Sequence, residues 1–120
     1  MSSGDVLDPD VVKSLRQLTP AGEPDVLVEI LTVFLDDVPK RIVALRAAVV
    51  AGDAFAMQHA AHSLKGSSGN IGARALHDVC RQLDDRARSG DLARVTPLLE
   101  SLATEYGRVE AEIKRLLGSE

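Results

Sequence analysis

The stretch His62-Ser63-Leu64-Lys65-Gly66-Ser67-Ser68-Gly69-Asn70-Ile71-Gly72 decides how this chain is read. Wound as an α-helix at about 100° per residue, it places Lys65, Gly66 and Gly69 within about 60° of His62. Met57, Ala60, Leu64 and Ile71 fall at about 160–220°, on the opposite side. A core therefore forms behind the histidine. The imidazole is left in water, beside an ammonium group and a bare backbone.

That arrangement suits a histidine carrying a phosphoryl group. A neutral imidazole is a good nucleophile near pH 7, because its unperturbed pKa is about 6.5. Lys65 lies one turn on, where its ammonium can screen a phosphoryl group as a compact point charge. Gly66 and Gly69 each cost a helix about 1 kcal/mol relative to alanine. Two such residues flanking His62 point to something that must come close to the backbone, such as a partner docking its own active site.

The run Ala60-Ala61-His62-Ser63-Leu64-Lys65-Gly66-Ser67-Ser68-Gly69-Asn70-Ile71-Gly72, with Leu76, Cys80 and Leu83 after it, resembles the histidine-containing phosphotransfer (HPt) domain. Members of that family are helical bundles that shuttle phosphoryl groups in multistep two-component relays. The resemblance runs from about residue 25 to residue 117 and shows no evident departure from the pattern. It implies that His62 is phosphorylated, that Lys65 stands next to the phosphoryl group, and that Gly66 is the small position over which a receiver approaches. It also implies that Mg²⁺ and most catalytic groups belong to the receiver. The chain would then be a covalent carrier, needing no cofactor of its own and not an enzyme by itself. Its partners would be response-regulator receiver domains or a hybrid sensor histidine kinase.

Composition sets the outer bounds. A chain of 120 residues suits one domain, here expected to span 1–120 with a frayed start over 1–7. Aromatics make up 2%, so the core must be aliphatic, and stacking platforms for single-stranded nucleic acid are missing. A net charge of −4 argues against a general nucleic-acid binder. One cysteine excludes an internal disulfide and a cysteine-rich zinc site. The start Met1-Ser2-Ser3-Gly4-Asp5 lacks a basic and then apolar leader, and the apolar run Val26 to Leu35 is too short and interrupted to span a bilayer. The expectation is a soluble cytoplasmic monomer, since a bundle of this size can close its core alone.

The chain reads as helices throughout. Asp8-Pro9 is a cap followed by proline, opening a short helix with Val11, Leu15 and Leu18 on one stripe. Pro24 opens a second helix running to Gly52, kinked or restarted at Pro39. Asp53 caps the third, which ends near Gly72. The fourth covers about 73–89 and stops at Gly90, and Thr96-Pro97 caps and starts the last. Short links favour an all-α, antiparallel four-helix bundle with a short additional N-terminal helix.

Other residues near the motif have two readings each. Gln58 either orients the imidazole or is a solvated glutamine. Phe55 either contacts a partner or closes the end of the core. Ser67 and Ser68 either donate to phosphoryl oxygens or simply permit close packing. His59 borders the docking surface or does nothing; as half of a metal pair with His62 it lacks carboxylate partners, so no metal site is expected. His77 reads as a plain surface residue and Cys80 as small core filling. Arg74, Arg81, Arg86 and Arg88 either attract an acidic receiver pocket or form a solvated face with Asp78, Asp84 and Asp85. The alternative to phosphotransfer is a docking module that sequesters a receiver or kinase without being phosphorylated. A metal-binding or structural bundle is a third possibility.

Overall fold

The computed structural model describes residues 5–118 and contains five helices. They are α1 (Pro9–Gln17), α2 (Val26–Ala51), α3 (Ala54–Asn70), α4 (Arg74–Arg88) and α5 (Thr96–Gly118). Helices α2 to α5 form the expected bundle. The most extensive packing is of α3 on α4 and then of α2 on α3, while α4 and α2 contact α5. Helix α1 lies against α2.

Local chemistry sets the boundaries. Asp8, Asp25 and Asp53 each turn a carboxylate back onto a free backbone N–H at the start of their helices, at 2.9, 2.9 and 3.0 Å. Asp25 therefore starts α2, and Pro24 lies outside it. Helix α2 continues through Pro39 as one helix and ends at Gly52, which is left-handed at φ 69°. It is not restarted. Thr96 is the first residue of α5 and not its cap. Asp53→Ala is expected to lower stability by about 1 kcal/mol through the lost cap, seen as a lower midpoint in urea with an unchanged slope.

The core is aliphatic, as the composition required. Leu27, Leu31, Val38 and Leu45 of α2 meet Met57, Ala61 and Leu64 of α3, with Leu76, Leu83, Leu102, Val109 and Ile113 from the last two helices. Phe34 and Tyr106 stack with ring centroids 6.3 Å apart, bridging α2 and α5. Burial pushes the Cys80 thiol up to about 12, so it stays an unreactive core thiol.

The short first helix differs from its expectation. None of its residues is buried, and Leu18 is exposed at its C-terminal end. Of the frayed start expected over 1–7, residues 1–4 lie outside the described residues, whereas Leu7 is buried in the core. The Asp8 N–H donates to the Gly72 carbonyl at 2.8 Å, and Arg74 pairs with the Asp8 carboxylate. These contacts tie the entry of α1 to the α3–α4 turn.

Candidate functional site

Helix α3 is buried on one side by Met57, Ala60, Ala61, Leu64 and Ser68. Its other side holds His62, whose side chain keeps 62% of its surface exposed. The periodicity of the motif required this, because the imidazole lies opposite the packed stripe. Phe55, His59, Gly66 and Gly69 are exposed on the same helix. Phe55, at 80% exposure, has no part in the core, so the reading of it as core closure fails.

A residue from the neighbouring helix completes the site. Asp84 of α4 is buried to 1% side-chain exposure, and its Oδ2 lies 3.6 Å from His62 Nδ1. The same oxygen accepts a hydrogen bond from Lys65 Nζ at 2.9 Å. Arg88, one turn along α4, donates its Nε to Oδ1 at 3.1 Å. Burial is the largest single influence on the Asp84 carboxyl and pushes its pKa up. The hydrogen bonds and charges of Lys65 and Arg88 outweigh it and hold the group below its ordinary value. A buried, ionised carboxylate thus sits under the histidine.

This corrects the solvated-face reading of Asp84. Asp78 and Asp85 are exposed and pair with Arg81, as a solvated face would. Asp84 points the other way, into the α3–α4 interface. Position 84 sits in the Leu83–Ala87 register that α4 presents to the core, and an acidic residue there was the one signal in the sequence that could have marked it. Lys65 is also placed differently from expectation. It stands on the His62 face, yet it is anchored on Asp84 and only partly exposed.

The minor candidates separate. No hydrogen bond joins Gln58 to the imidazole among the described residues. Ser68 is buried and donates to the Leu64 carbonyl at 2.7 Å, so it serves packing. Ser67 lines a groove of about 330 Å³ between α2 and α3, together with Ile30, Val33, Phe34 and Asp37. His77 is half-buried, with its ring over Gly69, where an added Cβ would meet it at 3.3 Å. A Cβ built on Gly66 would meet nothing within 4 Å. Whatever requires a glycine at position 66 therefore lies outside this chain's own packing. Among the described residues no cluster of three or more His, Cys, Asp or Glu could hold a metal ion, and no helix is long and apolar enough to cross a membrane.

An exposed histidine on a four-helix bundle, backed by a lysine and flanked by glycines, defines a class of phosphoryl-carrying domains. The chain belongs to the Hpt domain family, whose sequence profile matches residues 29–117. It is 36% identical to histidine-containing phosphotransfer protein B (HptB) of Pseudomonas aeruginosa PAO1 and superposes on its crystal structure with a TM-score of 0.89, covering 98% of this chain and 99% of that one. Histidine-containing phosphotransfer protein 5 of Arabidopsis thaliana is 27% identical over 88% of this chain and 69% of its own length. The HPT domain of a hybrid sensor histidine kinase from Shewanella shares the fold, with a TM-score of 0.78 at 21% identity, over 96% of each chain.

Proposed function

We propose that His62 receives a phosphoryl group from the aspartyl phosphate of a receiver domain and yields it to the aspartate of another. The chain is then a histidine phosphotransfer protein of a two-component phosphorelay. The observation that carries this reading is the exposed imidazole of His62 beside Lys65, in a chain of the Hpt family. An imidazole nitrogen attacks phosphorus, the P–O bond to the receiver aspartate breaks, and the electron pair leaves on the carboxylate oxygen. Charge spread over the transferring oxygens needs cations close by. Lys65 supplies one; an ammonium carries three donors, so the Asp84 contact does not exhaust it. Mg²⁺ and the groups that activate the aspartate belong to the receiver, and this chain acts as a covalent carrier.

The test is phosphoryl uptake from a phosphorylated receiver with Mg²⁺, followed by intact mass. An acid-labile adduct of one phosphoryl group is expected. A receiver that binds the chain yet leaves it unmodified would overturn phosphotransfer and favour docking alone.

Gly66 gives a second test with an unusual signature. The side chain of Gly66→Gln meets open space in the free protein. The variant should therefore melt higher than the parent, since glycine in a helix interior costs about 0.5–1 kcal/mol. Uptake should nevertheless slow by about 10-fold, a loss of roughly 1.4 kcal/mol in receiver binding or alignment. Undiminished uptake would remove the argument that a partner closes over this position.

A further inference from the structure

Helix α2 is apolar on two faces. Leu31, Phe34, Val38 and Leu45 are buried in the core. Val33, Val43 and Val50 stand on the opposite side, exposed to 64, 68 and 89%. They are three of the five large apolar residues exposed among the described residues, so most of what the fold leaves uncovered lies on this one face. A helix that is apolar all round is normally buried all round. A bundle that closes its core alone, the ground for expecting a monomer, still leaves this outer face without a partner.

The outer face carries a coiled-coil repeat. Val26, Val33, Lys40 and Ala47 recur every seven residues, and Glu29, Asp36, Val43 and Val50 follow each of them by three. These are the a and d positions of a heptad. On the helix they all lie within about 60° of one direction. Turned end for end about Val38, the row maps onto itself. Val33 falls opposite Val43, Val26 opposite Val50, and Asp36 opposite Lys40, while Glu29 meets the small Ala47 beside Arg46. Every layer then sets an a residue against a d residue, as two antiparallel helices require. Sliding the pair by one heptad puts Val33 against Asp36 in one direction and Lys40 against Val43 in the other.

We propose that the outer face of α2 docks a second copy of this chain, the two α2 helices running antiparallel about a two-fold axis level with Val38. Charge complementarity selects this occupant, because the face complements itself: valines meet valines, and Asp36 meets Lys40 on both sides of the axis. In the single chain Lys40 and Asp36 make one pair at 3.5 Å, with both side chains more than 70% exposed. Such an exposed pair holds its partners weakly and leaves them free to exchange across the axis. The two-fold makes each contact twice. One helix-on-helix seam is smaller than a standard interface of about 1,600 Å², so the dimer is weak and depends on concentration. The seam is on α2, whereas His62 and Asp84 stand on α3 and α4, so this inference does not rest on the phosphoryl reading.

Sedimentation of the complete chain between about 10 μM and about 1 mM tests this, and a shift from monomer to dimer is expected across that range. Val43→Glu changes an exposed residue and should keep the parent's helical spectrum. It should raise the dissociation constant by about 100-fold, since the two-fold buries the new charge twice. Asp36→Lys and Lys40→Glu should each weaken self-association by about 10-fold. Mixed together, these two variants should associate with each other as tightly as the parent does with itself, because each supplies the charge the other lacks. A merely structural role of either residue would not produce that cross-pairing. A parent still monomeric at about 1 mM, self-association indifferent to Val43→Glu, or no recovery in the mixture overturns the proposal. A monomeric parent whose receiver binding is lost in Val43→Glu would assign the face to the receiver and overturn it as well.

Discussion

His62→Gln is expected to take up no acid-labile phosphoryl group while melting at the temperature of the parent protein. The side chain is 62% exposed and lies opposite the residues that α3 buries, so the core is untouched by the change. Substitutions at such sites usually stay within about 0.5 kcal/mol. Asp84 keeps Lys65 and Arg88 as partners, so no charge is stranded in the interior. The chemistry, by contrast, disappears entirely. A glutamine amide has no basic nitrogen with which to attack phosphorus, and a positioned lysine cannot replace the nucleophile. Intact mass after incubation with a phosphorylated receiver and Mg²⁺, beside a thermal melt, checks both halves. Labelling of the variant at the parent rate would place the acceptor elsewhere, and exposed His59 would be the next residue to test.

Gly72→Ala should be the most damaging small substitution in the chain, lowering stability by about 3 kcal/mol. Two costs add there. Gly72 sits at φ 74°, which an L side chain rarely adopts. An added Cβ would also lie 2.9 Å from Asp8 Cβ, 3.0 Å from Val11 Cβ and 3.1 Å from the Asp8 backbone nitrogen. None of these is the far end of a flexible side chain, so the entry of α1 would have to move. The Gly72 carbonyl would then lose its bond from the Asp8 N–H. For a domain of this size the melting temperature should fall by about 12 °C. Gly90→Ala is the control, because Gly90 has the same φ of 74° with nothing within 4 Å. It should show the backbone cost alone, about 1 kcal/mol. Equal losses at the two positions would mean that the contact with α1 contributes nothing.

Gly66, Gly69 and Gly72 look alike in the sequence and differ in the fold. Gly66 opens to solvent, Gly69 lies under the ring of His77, and Gly72 fits against α1. The spacing of Gly66 and Gly69 on α3 could be read from the chain because a helix has a fixed period, and Gly72 follows in the α3–α4 turn. Their surroundings could not, because each is set by a different element. His77 belongs to α4 and Asp8 precedes α1, and no local rule brings either to the end of α3.

The sequence by itself determined the helical class, the carboxylate caps at Asp8 and Asp53, the aliphatic core and the outward placement of His62 with Lys65 on its face. These follow from backbone hydrogen bonding and from a period of 3.6 residues, both local properties. One of its two readings of the α4 charges put Asp84 on a solvated face, where Asp78 and Asp85 do belong. Only the tertiary structure decided that Asp84 turns inward, beneath the histidine and between Lys65 and Arg88. The reason is physical: a carboxylate tolerates burial only where cations from neighbouring turns and helices converge on it, and that convergence exists once α3 and α4 have packed.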